Sequence, residues 1–238
     1  MKSQKEKFKV YKGVFDNFTE VNLEKLRRQQ HYDSELTPLK IGKESHVFSA
    51  TKNGEKIILK IYRLENCDFN KMYSYIKEDL RYINLKAQKR RVIFAWVQRE
   101  FRNLHIAREG GVAVPTPYLF LGNILLEEFI GNAIAAPRLK DAYPKNAEKF
   151  YKLTLEQMRK LFLAGLVHGD LSPFNILNHE EKPILIDFSQ STLTKSPNAK
   201  LLLDRDIKNM YNFFKKVGVE TSEDEMWNVI VRKDILKE

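Results

Sequence analysis

Apolar positions change their spacing several times along the chain. Across residues 1–36 they are sparse, at Phe8, Val10, Phe15, Phe18, Val21, Leu23 and Leu26, in a polar and charged background. That stretch is expected to be an N-terminal extension with one modest helix near 20–30. From about Leu39 short apolar runs take over. Val47-Phe48-Ser49-Ala50-Thr51 and Ile57-Ile58-Leu59-Lys60-Ile61-Tyr62 are expected strands, joined through the hairpin dipeptide Asn53-Gly54. A loop with one glycine, Ile41-Gly42-Lys43-Glu44-Ser45, precedes them. Residues 71–91 are mixed and basic, and no element is assigned to them. Ile93, Val97, Glu100 and Leu104 then return to spacings of 4, 3 and 4, one face of a helix that Gly110-Gly111 ends.

After Pro115 and Pro117 come two strand-like runs, Tyr118–Leu121 and Ile124–Ile130, with Gly122-Asn123 as the turn and Gly131 as a hinge. Phe150, Leu153, Met158, Leu161, Phe162 and Leu166 mark a long helix closing near Gly165. Asp204 to Val217 marks a later helix with Ile207, Met210, Tyr211 and Phe214 inward. A strand-rich half therefore precedes a helical half. The expected fold class is α+β, with two lobes meeting near Gly131 and a cleft between them.

Composition narrows the class further. Of 238 residues, 43% are hydrophobic, which suits a packed core rather than a disordered chain. A single cysteine, Cys67, excludes an internal disulfide and a cysteine-based zinc site, and fits a reducing, cytoplasmic compartment. No apolar run approaches the ~18 residues of a membrane helix, and the N-terminus shows no apolar signal core. The formal charge of +10 suits a polyanionic partner such as RNA. Arg81, Lys86, Lys89, Arg90, Arg91, Arg99 and Arg102 concentrate that charge, with Glu100 the only acid among them. Either a solvated face or contact with a phosphate backbone accounts for the cluster.

The chemistry gathers in Val167-His168-Gly169-Asp170-Leu171-Ser172-Pro173-Phe174-Asn175-Ile176-Leu177 and in Ile184-Leu185-Ile186-Asp187-Phe188-Ser189-Gln190. Asp170 precedes Asn175 by five residues and Asp187 by seventeen. Phosphoryl transfer needs these residue types. One carboxylate, Asp170, orients or deprotonates the acceptor; an amide oxygen and a second carboxylate, Asn175 and Asp187, hold Mg²⁺ on the phosphates. Turn capping alone is the plainer reading of either motif taken singly. Lys60 ends an apolar run after a hairpin, the position of the phosphate-binding lysine of kinases. A lysine there needs an anion, and Glu100, a carboxylate in an apolar stripe, needs a cation. ATP phosphates and Glu100 are the candidates for Lys60. In the glycine loop, Gly42 permits close backbone approach and Lys43 and Ser45 add donors, although this loop alone is an ordinary turn. Where the lobes join, an adenine in the cleft would use the carbonyl of Glu128 and the amide of Ile130, although a simple strand-to-helix connection accounts for this segment equally well. His168 is expected to pack or orient, Trp96 to lie in the core, and Cys67 to be inert.

These segments resemble the RIO family of atypical protein kinases, and within it the RIO-one subgroup in its compact archaeal form. The resemblance runs from about Leu39 to Tyr211. It is carried by Gly42-Lys43-Glu44-Ser45-His46-Val47-Phe48, Lys60-Ile61-Tyr62-Arg63, Cys67-Asp68-Phe69 and Glu100-Phe101-Arg102-Asn103-Leu104, and continues through Glu128-Phe129-Ile130-Gly131, Ala136-Pro137-Arg138-Leu139 and the two motifs around Asp170 and Asp187. It implies a bilobal protein-kinase-like fold with a β-rich N-lobe at about 37–130 and a trimmed helical C-lobe at about 131–238, after the extension at 1–36. It implies ATP with Mg²⁺ or Mn²⁺, Lys60 on the phosphates, Asp170 as catalytic base, Asn175 and Asp187 on metal, and Asp187 as a second catalytic residue through a phospho-aspartate. It also implies autophosphorylation on serine and a role in maturing the small ribosomal subunit, whose RNA and proteins are the expected partners. DNA and membranes are not expected partners.

Two features depart from ordinary kinases. Ser189 follows Asp187-Phe188 where a glycine is usual, and no Ala-Pro-Glu follows. An ATPase switch on a pre-ribosome is therefore as consistent with the chain as a conventional protein kinase. Glu127 departs from the family itself, since an apolar residue is expected beside the adenine. Two other classes stay open: a small-molecule phosphotransferase of the aminoglycoside or choline kinase type, and a non-catalytic scaffold for pre-ribosomal RNA.

Overall fold

The structure, a computed structural model, describes residues 15–65 and 67–231. Phe8, Val10 and the other readings for residues 1–14 and 232–238 lie outside the described residues. The N-terminal half is a five-stranded antiparallel sheet of β1 (Thr37–Ile41), β2 (Ser45–Lys52), β3 (Glu55–Tyr62), β4 (Pro117–Leu121) and β5 (Ile124–Glu128), in the order β1-β2-β3-β5-β4. Asn53 and Gly54, both at positive φ, close the β2–β3 hairpin.

Strand alternation gives this sheet two different faces. Ile57, Leu59 and Ile61 point to one face with Ile124 and Leu126, where Leu23 and Leu26 of α1 (Asn17–Arg28) complete a compact apolar cluster. Asn123, in the β4–β5 turn, donates to Thr19 Oγ1 at 2.8 Å and to the Tyr62 carbonyl at 2.7 Å. The extension helix is thus part of the lobe's own core. Tyr62 and Leu125 point to the other face, into a larger core shared with α3 (Lys89–Glu109) and the C-terminal half. Trp96 is buried there, as expected.

The segment left unassigned at 71–91 holds α2 (Phe69–Lys77) and a single 3₁₀ turn, Leu80–Tyr82. Phe69, Met72, Tyr73 and Ile76 give the helix an apolar face on the main core, and charge anchors the turn that follows it. Asp79 is fully buried, takes two bonds from Arg81 at 2.9 and 2.6 Å, and pairs with the buried Arg99 at 3.0 Å. Asp79→Ala strands the Arg99 charge in the core, so it is expected to cost about 3–5 kcal/mol. Urea unfolding measures this, and a loss below about 1 kcal/mol contradicts the account.

The C-terminal half contains α4 (Ala147–Leu163), β6 (Leu166–Val167), β7 (Ile176–His179), β8 (Lys182–Leu185), β9 (Thr192–Leu193), α5 (Ala199–Lys216) and α6 (Glu223–Val231). β6 pairs with β9 and β7 with β8. Leu166 lies in β6, not in the helix before it, because Gly165 at positive φ turns the chain first. The later helix begins at Ala199 rather than Asp204. Phe213 is buried on it, while Tyr211 is only half-buried and receives a bond from Lys215 at 3.0 Å. No helix among the described residues is long and apolar enough to cross a membrane.

Candidate active site

Three elements converge on one ammonium group. β3 carries Lys60, α3 carries Glu100, and the chain leaving β8 carries Asp187. Lys60 Nζ stands 2.7 Å from Glu100 Oε1 and 2.8 Å from Asp187 Oδ1. The Tyr62 hydroxyl, two residues along the same face of β3, donates to the other Glu100 oxygen. Lys60 and Glu100 are buried, so each awkward charge has the partner the sequence demanded. Burial works against the Lys60 charge, but Asp187 and Glu100 outweigh it and hold the ammonium well above its usual range. Burial likewise opposes ionisation of Asp187. Lys60 and the Ser189 hydroxyl, at 2.9 Å, overcome it and keep that carboxylate well below its usual range. Asp187 adopts a left-handed backbone at φ 66° and ψ 66°, a conformation Asp tolerates better than most residues.

Asp170 lies in the loop between β6 and β7, and that loop is braced from below. Asp206 of α5 accepts from the Gly169 amide at 2.7 Å and the Leu171 amide at 2.8 Å. Arg205 donates to the Gly169 carbonyl, and Asn209 to that of Leu171 at 3.0 Å. Gly169 is required here: its φ is 80°, and an added Cβ would stand 2.9 Å from the Gln190 carbonyl. Asn175 donates to the Asp170 carbonyl at 2.8 Å and its Oδ2 at 3.3 Å, and Gln190 Nε2 lies 3.2 Å from the same oxygen. Burial, then the nearby Asp187, raises the Asp170 carboxyl above its usual range.

The donor set fits a hard cation. The Asn175 amide spends its N–H side on Asp170, which leaves the carbonyl oxygen. Asp187 spends Oδ1 on Lys60 and Ser189, which leaves Oδ2. Among the described residues no three His, Cys, Asp or Glu side chains form a metal cage. Two oxygen ligands completed by phosphate and water suit Mg²⁺.

Gly42, Lys43 and Ser45 lie at the β1–β2 connection, where the Gly42 amide donates to the Ser45 carbonyl at 3.0 Å and so closes the loop on itself. Burial, then Arg138, lowers the ammonium of Lys40, and Asp187 and Lys60 lie near enough to act on it. At the lobe junction the Glu128 amide donates to Thr116 and the Ile130 carbonyl accepts from Ala136, so those bonds do not use the Glu128 carbonyl or the Ile130 amide. The Glu128 side chain turns away to Thr116, accepting from its amide at 2.9 Å and its hydroxyl at 2.6 Å. A cavity of about 330 Å³ lies behind this junction, lined by Arg108, Thr116, Glu128 and Ile184; neither Lys60 nor Asp170 borders it.

Sequence reasoning misses Asp206, Asn103, Gln190 and Tyr62. Asn103 donates to the carbonyls of Phe188 at 3.1 Å and Ser191 at 2.9 Å, pinning the turn after Asp187 to α3. Its spacing of three from Glu100 is the one signal available beforehand. His168 packs as expected, with its ring 4.8 Å from that of Phe188 and Nε2 3.0 Å from the Ile186 carbonyl. Burial lowers it to about 4. The unfolded chain therefore takes up a proton that the folded protein refuses, and stability falls as pH drops from about 6.5 towards 4. At pH 5 this group is expected to cost about 2 kcal/mol relative to pH 7. Unfolding at both pH values should show a smaller loss in His168→Asn; an equal loss contradicts the assignment.

A family model described as the RIO domain matches residues 46–226. The RIO-type serine/threonine-protein kinase Rio1 of Methanocaldococcus jannaschii is 40% identical over 232 residues, covering 97% of this chain and 80% of that protein. Its counterpart in Haloferax volcanii is 37% identical over 227 residues, covering 94% and 78%. Among solved structures, the Rio2 kinase–ADP/Mg²⁺–phosphoaspartate complex of Chaetomium thermophilum superposes with a TM-score of 0.68 at 22% identity, over 89% of this chain and 66% of that one. That likeness establishes the bilobal kinase-like fold.

Proposed function

The chain belongs to the RIO kinase family, as an ATP-dependent serine/threonine kinase, and on that premise we propose that the Lys60–Asp187 cleft carries its phosphoryl transfer. The observation behind this reading is the bridge of Lys60 between Glu100 and Asp187, facing a loop in which Asn175 holds Asp170. When bound, ATP supplies the phosphoryl group and Mg²⁺ neutralises charge on its oxygens. Asn175 and Asp187 would hold that metal. Lys60, kept charged by its two carboxylates, meets phosphate oxygens. Gly42, Lys43 and Ser45 cover the phosphates from above, and the Glu128 carbonyl and Ile130 amide take the adenine edge. Asp170, its carboxyl raised by burial, accepts the proton of an incoming hydroxyl.

The Rio2 complex bears a phosphoaspartate. Asp187 is the candidate for the same chemistry here: its oxygen bonds to the terminal phosphorus as the bond to ADP breaks, and water later releases phosphate. Autophosphorylation on serine and an ATP-driven role in maturing the small ribosomal subunit complete the reading. The charge of +10 suits ribosomal RNA.

Single turnover of γ-labelled ATP, with and without small ribosomal subunits, tests this role. Phosphate release quickened by the subunits is the expected result. Release indifferent to them, with rapid transfer to an aminoglycoside or choline, would replace this reading with a small-molecule phosphotransferase.

A further inference from the structure

Among the described residues, Glu127 is the one acidic side chain on the cleft face of the sheet without a side-chain partner. In the antiparallel register Lys60 stands opposite Leu125 and Ile58 opposite Glu127, so all four side chains share a face. Glu128, next along β5, takes the other face and is satisfied by Thr116. Glu127 makes neither an ion pair nor a hydrogen bond with the described residues. Leu125 and Leu126 precede it and Phe129 and Ile130 follow its neighbour, so an acid here is costly unless something in the cleft uses it. Burial, then Glu100, pushes its carboxyl up to about 8, while Lys60 and Asp187 also lie within electrostatic reach. It therefore sits between the lysine that meets phosphates and the junction that meets the base.

We propose that Glu127 reads the base, accepting a hydrogen bond from a 6-amino group and thereby selecting adenine over guanine nucleotides. The inference rests on the ATP-site reading above. An adenine whose 6-amino group donates one N–H to the Glu128 carbonyl has a second N–H to place, and the residue just before Glu128 on the cleft face is the acceptor at hand. A carboxyl offers an acceptor oxygen whether ionised or neutral. Guanine presents O6 at that point, so above about pH 8, where the Glu127 carboxyl is ionised, two acceptors face each other and the Glu127 oxygen loses its donor. A site built to hydrogen-bond one group rejects an analogue lacking it far more strongly than an apolar wall does.

The test is calorimetric binding at pH 9, where the Glu127 carboxyl is ionised, of Mg²⁺ complexes of ATP, GTP and purine riboside 5′-triphosphate, which lacks only the 6-amino group. The full chain is compared with Glu127→Met and Glu127→Gln. Wild type should favour ATP over each competitor by ~10-fold or more. In Glu127→Met both ratios should shrink by ~10-fold, through weaker ATP and tighter GTP binding. Glu127→Gln, which keeps an acceptor oxygen, should stay within about threefold of the wild-type ratio for the amine-free ligand. A Glu127→Met protein with wild-type ratios overturns the inference while leaving the ATP site intact. Wild type binding the amine-free ligand as tightly as ATP does the same without any variant. Wild type binding none of the three overturns the ATP-site reading itself.

Discussion

Lys60→Met is expected to lose ATP turnover by about 10²–10⁴-fold. The ammonium is the only cation in direct contact with both Glu100 and Asp187 among the described residues. Its loss has two consequences. The phosphates lose a fixed positive partner in a buried site, where such a charge counts far more than in water. Two carboxylates are also left without their shared counter-ion, and the less exposed, Glu100, meets that by taking up a proton. The methionine keeps most of the lysine stem and fills its place in β3. A variant that unfolds cooperatively yet turns over ATP at the wild-type rate would remove Lys60 from the chemistry.

Asp170→Asn should fail differently. Its amide keeps the size and shape of the carboxylate, and the brace from Asp206, Arg205 and Asn209 acts on the backbone of Gly169 and Leu171 rather than on the Asp170 side chain. The loop therefore holds its form. An amide cannot accept the proton of an attacking hydroxyl, so kcat should fall by about 10²–10⁴-fold, the range general-base catalysis contributes. Nucleotide affinity should change by no more than a few-fold, since the phosphates are held by other residues. Equal losses in affinity and rate would make Asp170 a binding group instead.

What could be seen in the sequence follows from how local its cause was. The β2–β3 hairpin was visible because alternation and Asn53-Gly54 agree over a few residues. The pairing of Lys60 with Glu100 was visible because each is a charge inside an apolar run, and each predicts the other without any knowledge of the fold. Asp206 gave no such sign. It lies on a helix rich in charged residues, and its role as a bridge to two amides depends on how α5 crosses the loop at Gly169. Gln190 and Asn103 bind backbone or carboxylate groups far along the chain, a relation only the tertiary structure creates. The 3₁₀ turn at Leu80–Tyr82 was invisible because its anchor is the Asp79–Arg99 pair rather than an apolar stripe. Glu127 falls between these cases. Its oddness was plain, but its direction became known only when the β3–β5 register put it on the face of Lys60.

The most direct test of the site is single turnover of γ-labelled ATP with Mg²⁺ by wild type, Asp170→Asn and Asp187→Asn, following free phosphate and label on the protein together. The account predicts that wild type releases phosphate and labels itself on serine, that Asp187→Asn does neither, and that Asp170→Asn binds ATP but transfers no label to serine. Turnover in Asp187→Asn at the wild-type rate would contradict the assignment of this cleft as the phosphoryl-transfer centre.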